Sequence, residues 1–374
     1  MKNKKIIISL NSAWNLINFR SGLIQALVQD GYEVVAVAPY DQYAHKLAEL
    51  GCRFVSIDMD KQGTNPFRDA KLLWAYFRLF LSERPDIYLG YTVKPNVYGS
   101  IAATLLGISV INNVAGLGAV FIQGGWKAKL VRTLYKIAFL KSKTIFFQNN
   151  DDLEQFVEEK VVSLSSTALL PGSGIDLEKF SLNIERSKNA EKKFRFLLIA
   201  RMLWDKGVGE YVEAAGYIRK EFNNVEFCLL GFVDVENPSA ISKKQMDDWV
   251  LQGDVCYLGV SDDVRFEIEN ADCIVLPSYR EGTPRTLLEA AAMAKPIITT
   301  NAIGCKNVVD DNKNGFLCEI ANSDDLAEKM KKMLLLSDME RYQMGACGRR
   351  KMELEFDEKI VVEKYRFAIQ KALQ

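Results

Sequence analysis

The feature that most constrains the fold of this chain is a regular alternation of short β-branched runs with helical segments, which occurs twice. In the first half, strands are predicted at residues 6–10, 32–38, 52–57, 86–90, 109–114, 144–148 and 167–171. The helices between them are predicted near residues 18–30, 41–50, 67–83, 95–106, 127–141 and 151–160. This alternation is typical of a parallel sheet that helices cover on both faces.

The pattern restarts after the polar, lysine-rich segment NIERSKNAEKKF (183–194). New strands are predicted at residues 195–200, 225–231, 255–259, 273–277 and 296–300. A chain of 374 residues is also too long for one ordinary core. We therefore predict an α/β protein with two doubly wound, Rossmann-like domains, residues 1–176 and 190–355, that face each other across a cleft. A C-terminal helical segment, residues 356–374, is expected to pack back towards the first domain.

Composition argues against several other classes of protein. The 48 lysines and arginines balance the 48 aspartates and glutamates, so the net charge does not support nucleic-acid binding. The seven cysteines include no C-x-x-C pair, which favours reduced, buried thiols over a disulfide framework or a zinc site. The start MKNKKIIISLNS predicts a first strand rather than a signal peptide, and no window reaches the ~18–20 apolar residues of a membrane span.

Two glutamates flank the start of a predicted helix in SYREGTPRTLLEAAAMAKPIITT (278–300). Thr283 is predicted as the N-cap and Pro284 as the first helical residue, with Glu281 before the helix and Glu289 inside it. A purely structural explanation is that Glu281 complements the helix dipole and Glu289 pairs with Arg285 four residues away. Alternatively, both carboxylates accept hydrogen bonds from sugar hydroxyls, those of a ribose in the case of Glu289.

A second loop supplies cations at an equivalent position. The strand RFLLIA leads into RMLWDKG, where Arg201 and Lys206 suit a diphosphate and Gly207 permits close approach. Backbone N–H groups from about Arg285 onward would receive further phosphate oxygens. Either loop alone could be an ordinary solvated connection. Together, cations for a diphosphate and one carboxylate for each sugar indicate a nucleotide-sugar site at the carboxyl ends of the strands.

These motifs resemble those of a known family. EGTPRTLLEA resembles the E-x7-E motif of the retaining glycosyltransferases of family 4, which have the GT-B fold, and RMLWDKG resembles their R-x4-K pair. The likeness extends along the whole chain through YTVKPNVYGSIAA (91–103), NNVAGLGAVF (112–121) and GFVDVENPS (231–239). It is greatest with bacterial transferases that extend lipid-linked oligosaccharides, including those of capsule and O-antigen assembly.

The resemblance implies a role for each matching position. Arg201 and Lys206 would hold the donor diphosphate and stabilise the leaving group, Glu289 would bind the ribose, and Glu281 would contact the donor sugar. Val260, in the loop LGVSDD (258–263), would present backbone to the uracil, although that loop could equally be a plain connection. The backbone after Glu281 would support the sugar or phosphate through Gly282, Thr283, Arg285, Thr286 and Leu287.

The resemblance also implies a mechanism with retained configuration, a UDP-sugar as substrate and no cofactor. No metal is expected, because Arg201, Lys206 and the helix N-terminus would stabilise the leaving group, and the sequence agrees in having no cluster of histidine, cysteine or carboxylate with ligand spacing. One departure concerns histidine, since many family members use one in the first domain. Here the single histidine is His45, within the amphipathic segment DQYAHKLAEL, and we interpret it as a surface or packing residue. A mechanism that requires a histidine is therefore in doubt.

The first domain offers candidates for binding the acceptor. Asn18 and Arg20 follow the first strand, and Arg20 could reach a second diphosphate. Lys94 and the glycines Gly116 and Gly118 also follow strands. Each has a structural alternative, because lysine often faces solvent and glycine often serves a tight turn.

A basic helix in residues 124–143 suggests contact with an anionic membrane surface. Leu130, Leu134, Ile137 and Ala138 are predicted to share its apolar face. The alternative is a helix packed on the sheet with a solvated basic face. The residues expected to face the membrane are Trp126, Lys127, Lys129, Arg132 and Lys136.

Together these features predict an enzyme that transfers a sugar, N-acetylgalactosamine or another N-acetylhexosamine, from a UDP-sugar to a polyprenyl-diphosphate-linked saccharide. It would act as a peripheral protein on the cytoplasmic face of the inner membrane. The main alternative is a non-hydrolysing UDP-N-acetylglucosamine 2-epimerase, which also has two facing Rossmann-like domains but needs no acceptor. A nicotinamide oxidoreductase is disfavoured because no G-x-G-x-x-G follows the first strand. A third class is a non-enzymatic module that binds a sugar nucleotide or a membrane. In such a module, replacing Glu281 would change binding only, because there is no turnover to lose.

Overall fold

The computed structural model describes residues 3–60, 65–116, 125–181 and 193–374, and the side chains of Trp126 and Lys127 lie outside the description. The chain divides into two compact units. Unit 1 comprises Met1–Gly174 and Glu358–Gln374, and unit 2 comprises Ile175–Asp357. The predicted domains covered residues 1–176 and 190–355 with a C-terminal segment 356–374, whereas the units divide after Gly174 and after Asp357.

Unit 1 is built on a parallel sheet in the order β3-β2-β1-β4-β5-β6-β7. Its strands are β1 (Lys5–Ser9), β2 (Glu33–Ala38), β3 (Arg53–Ser56), β4 (Ile87–Tyr91), β5 (Ser109–Val114), β6 (Thr144–Phe147) and β7 (Thr167–Leu169). Its α-helices before the boundary are α1 (Ala13–Gln29), α2 (Pro66–Glu83), α3 (Ser100–Leu105), α4 (Gly125–Phe139) and α5 (Asn150–Glu158). Shorter turns are the 3₁₀ segments Ala44–Leu50 and Leu164–Ser166 and the π-helical segment Pro95–Gly99.

Unit 2 repeats the architecture with a parallel sheet in the order β10-β9-β8-β11-β12-β13. Its strands are β8 (Phe194–Ile199), β9 (Val225–Leu230), β10 (Cys256–Tyr257), β11 (Cys273–Leu276), β12 (Ile297–Thr300) and β13 (Gly315–Cys318). Its α-helices are α6 (Val208–Glu221), α7 (Lys243–Leu251), α8 (Arg265–Asn270), α9 (Arg285–Ala292), α10 (Ser323–Leu335) and α11 (Asp338–Lys351). A 3₁₀ turn covers Trp204–Lys206, and a π-helical segment covers Met352–Phe356.

The last helix, α12 (Glu358–Leu373), belongs to unit 1 and packs on its sheet. Val361, Tyr365 and Ile369 recur every four residues on its buried face, and burying an aliphatic side chain of this size contributes about 1.5–3 kcal/mol. The Tyr365 ring lies 4.8 Å from that of Phe146 on β6. Arg366 forms two hydrogen bonds of 2.7 Å to the Asp30 carboxylate at the end of α1. Apolar packing and this bidentate pair therefore hold the C-terminal helix in place.

The strand orders bring particular loops together. In each sheet the first strand in the chain lies beside the fourth. The first three strands are added towards one edge of the sheet, and the chain then crosses back, so that the fourth strand starts the other half. In unit 1 this switch point lies between β1 and β4, and in unit 2 it lies between β8 and β11. Open α/β sheets bind ligands in the crevice outside the carboxyl ends of the strands at such a point.

Most predicted elements occur within a few residues of their expected bounds, but one strand was not predicted and two predicted helices were wrong in detail. The unpredicted strand is β13, whose four residues GFLC form too short an apolar run to stand out. The segment predicted as a helix at 41–50 is a 3₁₀ turn from Ala44 to Leu50. The helix expected from residue 18 begins at Ala13, because the Ser12 side chain accepts a hydrogen bond of 3.1 Å from the backbone N–H of Asn15.

Candidate active site

The loops after β8 and β11 meet at the switch point of unit 2. The backbone N–H of Tyr279 donates to the carbonyl of Asp205 at 3.0 Å, and the Ser278 hydroxyl donates to the same carbonyl at 3.2 Å. Gly207, with φ +72°, permits this approach, because a Cβ at that position would lie 2.1 Å from the Pro277 carbonyl oxygen. The two predicted motif loops are therefore fixed against each other by the backbone.

Lys206 and Glu281, one from each loop, form an ion pair between Nζ and Oε1. Their side chains are 15% and 17% exposed, so the pair is shielded from water without being sealed off. The sequence predicted a cation for a phosphate and a carboxylate for a sugar, and the structure brings these two groups into direct contact. A ligand that binds here must share or replace this ion pair.

The loop after β12 supports Glu281 from the other side. The backbone N–H of Glu281 donates to the Ile303 carbonyl at 3.0 Å. Gly304 has φ +83°, and a Cβ there would lie 2.4 Å from the Glu281 carbonyl oxygen. Cys305 is buried beside the pair, and burial first, then the Glu281 charge, raises the pKa of its thiol to about 12. This loop was not predicted as part of the site, although its place after a predicted strand could have indicated it.

The start of α9 differs from the prediction by one residue. The helix begins at Arg285, and its N-cap is Pro284, so Thr283 is not the N-cap and Pro284 is not the first helical residue. The amide of Leu287 donates to the Pro284 carbonyl at 3.0 Å, so this N–H already has a partner, contrary to the expectation of free donors from Arg285 onward. The Thr286 hydroxyl donates to the Ile199 carbonyl at 3.1 Å, which anchors the first turn to the end of β8.

Glu289 and Arg285 form the second ion pair of the site. Arg285 Nε lies 3.2 Å from Glu289 Oε1, and the side chains are 15% and 14% exposed. Burial raises the pKa of Glu289, whereas the neighbouring Arg285 lowers it. The pairing that the sequence offered as a structural explanation is therefore present in the structure. It leaves the ribose assignment of Glu289 as a separate hypothesis.

The other predicted donor residues differ in their surroundings. Arg201 is exposed after β8 and has no hydrogen bond or ion pair within the described residues. Val260 is 48% exposed in the loop after β10, where Gly259 accepts a hydrogen bond of 2.8 Å from the Gly231 amide. The loop therefore packs beside the end of β9 and exposes the Val260 side chain. Gly282 is buried and Thr283 is half-buried.

A tyrosine–glutamate contact that was not predicted from the sequence supports the loop after β11. Tyr279 Oη is hydrogen-bonded to Glu210 Oε1 on the first turn of α6. Burial raises the pKa of Tyr279, and the Glu210 charge raises it further, so the tyrosine is the donor. This bond fixes the loop that carries Glu281 to α6. No local pattern in the sequence links two residues so far apart in the chain.

The predicted acceptor residues within the described part of the chain follow β1, β4 and β5 of unit 1. Asn18 donates to the Trp14 carbonyl of its own helix at 2.9 Å. Lys94 is paired with Asp69 at 2.8 Å, so it does not simply face solvent. Gly116 has φ +115°, whereas Gly118 lies outside the described residues. Arg20 is buried, and its Cζ lies 4.4 Å from the centroid of the Tyr91 ring.

The basic helix α4 packs on unit 1 through one face and leaves part of its predicted apolar face exposed. Tyr135, Ala138 and Phe139 are buried, whereas Leu130 and Ile137 are 47% and 56% exposed. Of the four residues predicted to share an apolar face, Leu130 and Ile137 are thus exposed, Leu134 is half-buried and Ala138 is buried. Lys129 and Lys136 are exposed, and Arg132 is paired with Glu159, which follows α5. The side chains of Trp126 and Lys127 lie outside the description.

The described residues contain no helix long and apolar enough to cross a membrane. They also contain no group of three or more histidine, cysteine, aspartate or glutamate side chains that could hold a metal ion. His45 is exposed within the 3₁₀ turn of unit 1.

Comparisons with known proteins assign the family. The family model described as "Glycosyl transferases group 1" matches residues 179–351, and the one described as "Glycosyl transferase 4-like domain" matches residues 19–171. A Campylobacter jejuni relative, N,N'-diacetylbacillosaminyl-diphospho-undecaprenol alpha-1,3-N-acetylgalactosaminyltransferase, is 32% identical over 94% of each chain. The chain belongs to the group 1 glycosyltransferases. The family resemblance noted from the motifs is thereby confirmed.

A second relative of this glycosyltransferase comes from Escherichia coli. It is a UDP-Gal:alpha-D-GlcNAc-diphosphoundecaprenol alpha-1,3-galactosyltransferase, 30% identical over 69% of this chain and 68% of its own. The relatives thus differ in the sugar that their names specify, while both names include a diphosphate-linked undecaprenol.

Among solved structures, the sucrose-phosphate synthase of Thermosynechococcus elongatus matches 99% of each chain with a TM-score of 0.81 and 16% identity. A putative UDP-N-acetylglucosamine 2-epimerase from Listeria monocytogenes matches with a TM-score of 0.71 and 13% identity, over 100% of this chain and 97% of its own. At such identities the likeness shows the fold alone, and the expected GT-B fold is confirmed. Since an epimerase shares this fold, the family models and relatives, rather than the fold, assign the chain to the glycosyltransferases.

Proposed function

We propose that this glycosyltransferase transfers N-acetylgalactosamine, or another N-acetylhexosamine, from a UDP-sugar to a saccharide linked to polyprenyl diphosphate. The observation that carries the proposal is the pair of cation–carboxylate contacts at the carboxyl ends of β8 and β11, Lys206–Glu281 and Arg285–Glu289. These supply the charges that a sugar nucleotide requires. The substrates named for the two relatives support the choice of donor and acceptor class.

In the proposed donor complex, the Lys206–Glu281 ion pair opens and each side chain binds part of the donor. Lys206 turns from Glu281 to the diphosphate, and the released Glu281 carboxylate accepts hydrogen bonds from the donor sugar. Arg201, which has no partner within the described residues, adds a second cation with a planar fork of donors. Glu289 accepts from the ribose hydroxyls, and Val260 presents backbone to the uracil. The backbone at Gly282, Thr283, Arg285, Thr286 and Leu287 lines the sugar and phosphate.

The proposed transfer retains configuration and needs no metal. The bond from the anomeric carbon to the diphosphate oxygen breaks, the acceptor oxygen bonds to the same face of that carbon, and the acceptor proton passes to a diphosphate oxygen. Lys206 and Arg201 stabilise the charge that grows on the leaving diphosphate, which is the role that preorganised cations and donors fulfil in such sites. Asn18, Arg20, Lys94, Gly116 and Gly118 are the proposed acceptor residues.

Unit 1 is the proposed membrane-facing part, on the cytoplasmic side of the inner membrane. On α4, Leu130 and Ile137 are exposed beside Lys129 and Lys136, a combination suited to the interface of an anionic bilayer. Each basic residue near such a surface contributes about 1 kcal/mol. Reversing both charges (Lys129→Glu with Lys136→Glu) should weaken binding to phosphatidylglycerol vesicles about tenfold or more.

The matched control for the vesicle experiment is Lys244→Glu, which reverses one exposed charge on α7 of unit 2. It should bind the vesicles as the wild type does. Equal loss in both proteins would contradict the assignment of the membrane surface to α4, and binding that is equally strong on neutral vesicles would contradict its electrostatic basis.

The enzymatic proposal is tested by UDP release from a panel of UDP-sugars, with and without detergent-solubilised polyprenyl-diphosphate-linked saccharides. We expect release from one N-acetylhexosamine donor only when an acceptor is present, and an α-linked product by NMR. Interconversion of UDP-sugars without UDP release would instead favour the epimerase. An inverted anomer, or loss of turnover on treatment with a chelator, would overturn the mechanistic part.

A further inference from the structure

A buried guanidinium in unit 1 has no counter-charge. Arg20 lies on α1 and is only 4% exposed, and its Nε and Nη1 atoms are buried without any hydrogen-bond partner. Tyr91, over whose ring Arg20 stacks, is 1% exposed, and its hydroxyl is also buried without a partner. Three unpartnered polar atoms thus lie close together, although buried polar groups in proteins are almost always hydrogen-bonded.

The neighbouring polar groups do not neutralise this charge. Asn113 Nδ2 donates to Tyr365 Oη at 3.0 Å, and the Tyr365 ring lies 6.1 Å from that of Tyr91. Both groups are uncharged, and Arg20 forms no ion pair with any described residue. A buried charge is costly unless it is paired and hydrogen-bonded. The stacking on Tyr91 compensates only part of that cost, because it satisfies none of the N–H donors.

The position of the cluster coincides with a ligand-binding position of the fold. Tyr91 is the last residue of β4, and α1 follows β1, so Arg20 and Tyr91 flank the switch point of unit 1. The next residue, Thr92, has φ +56°, a conformation that is rare for a β-branched residue. A ligand that binds at this switch point would therefore meet both unpartnered groups.

We propose that Arg20 and Tyr91 form an anion-binding subsite that holds the diphosphate of the lipid-linked acceptor, an inference that rests on the proposed function. The guanidinium offers a planar fork that matches two oxygens of one phosphate group. Burial raises the pKa of Tyr91, so its hydroxyl remains protonated and available as a donor. This subsite is separate from the donor diphosphate, which Arg201 and Lys206 of unit 2 are proposed to bind.

The test compares two acceptors that carry the same sugar, one linked through a polyprenyl diphosphate and one a simple alkyl glycoside. Arg20→Gln should lower kcat/KM for the diphosphate acceptor on the order of 10- to 150-fold, the range expected for lost hydrogen bonds to a charged group. It should change kcat/KM for the alkyl glycoside and the KM for the UDP-sugar by less than about threefold. Tyr91→Phe should produce a smaller loss of the same selectivity, about 2- to 10-fold.

The exposed Arg219 on α6 provides a matched control, because Arg219→Gln removes the same charge from unit 2. That variant should behave as the wild type with both acceptors. If Arg20→Gln lowered kcat/KM equally for both acceptors, Arg20 would have only a structural role. If it changed only the KM for the UDP-sugar, the bound anion would be the donor diphosphate. Unchanged kinetics would also overturn the proposal.

A binding measurement separates this inference from the proposed function. In a Lys206→Ala background, which weakens the donor site, inorganic diphosphate should still raise the melting temperature, and adding Arg20→Met should abolish that rise. Without ligand, Arg20→Met should leave the melting temperature unchanged or higher, because it removes an unpaired buried charge. A rise that survives Arg20→Met, or a marked fall without ligand, would refute the subsite. Failure of the wild type to transfer sugar to any acceptor would refute only the proposed function.

Discussion

Replacing Lys206 with alanine tests the central contact of the candidate site. Its ammonium group is hydrogen-bonded to Glu281, and the side chains of the two residues are only 15% and 17% exposed. At an effective dielectric constant of about 20, two unit charges about 4 Å apart interact by about 4 kcal/mol. Removing one preorganised donor from a developing oxyanion costs roughly 10²- to 10³-fold in kcat. Because Lys206 keeps some access to water, we expect a loss in this range rather than above it.

The same substitution should also affect stability. Exposed ion pairs contribute about 0–1 kcal/mol, whereas breaking a buried pair costs about 3–5 kcal/mol. The intermediate burial of the Lys206–Glu281 pair predicts a loss of about 1–3 kcal/mol in the free energy of unfolding. The double variant Lys206→Ala with Glu281→Ala should recover part of that loss, because no unpaired charge then remains.

The assay is steady-state UDP release at saturating UDP-sugar and acceptor, combined with urea unfolding of each variant. Lys244→Ala, which removes an exposed lysine from α7, is the control and should leave kcat unchanged. A Lys206→Ala enzyme whose kcat remains within about threefold of the wild type would refute the leaving-group role. A higher UDP-sugar KM with unchanged kcat would assign Lys206 to binding the ground state only.

Three further predictions concern residues around this contact. Glu289→Ala should raise the UDP-sugar KM by about tenfold or more with a smaller change in kcat, and unchanged donor affinity would contradict the ribose assignment. Because burial raises the pKa of Glu289, the stability that its protonated form contributes is lost as the pH rises through that pKa. Glu289→Gln should therefore gain melting temperature relative to the wild type above about pH 4, the ordinary glutamate range, and parallel pH profiles would argue against this burial effect. Gly207→Ala, at φ +72° and with its Cβ 2.1 Å from the Pro277 carbonyl oxygen, should cost at least about 1–3 kcal/mol in unfolding experiments. In contrast, Gly216→Ala, in the open part of α6, should stabilise by about 0.5–1 kcal/mol, and similar effects at both glycines would refute the steric argument.

The positions of the ion pairs illustrate how far local sequence signals reach. Arg285 and Glu289 lie four residues apart on one helix, so their contact was foreseeable from spacing alone. Lys206 and Glu281 lie 75 residues apart, and the sequence predicted only that each follows a strand. Their direct contact depends on β8 and β11 being neighbours, together with the close approach that Gly207 allows.

The sequence alone determined most of the segments that form strands and helices, and on which loops the charged residues lie, because hydrophobic periodicity and glycine, proline and capping residues act within a few residues of the chain. It also carried motifs specific enough to indicate the family. Only the tertiary structure decided which strands are neighbours, and therefore that Lys206 meets Glu281, that Arg20 is buried against Tyr91 without a counter-charge, and that α4 exposes Leu130 and Ile137. These outcomes depend on packing between segments distant in the chain, which no local pattern encodes.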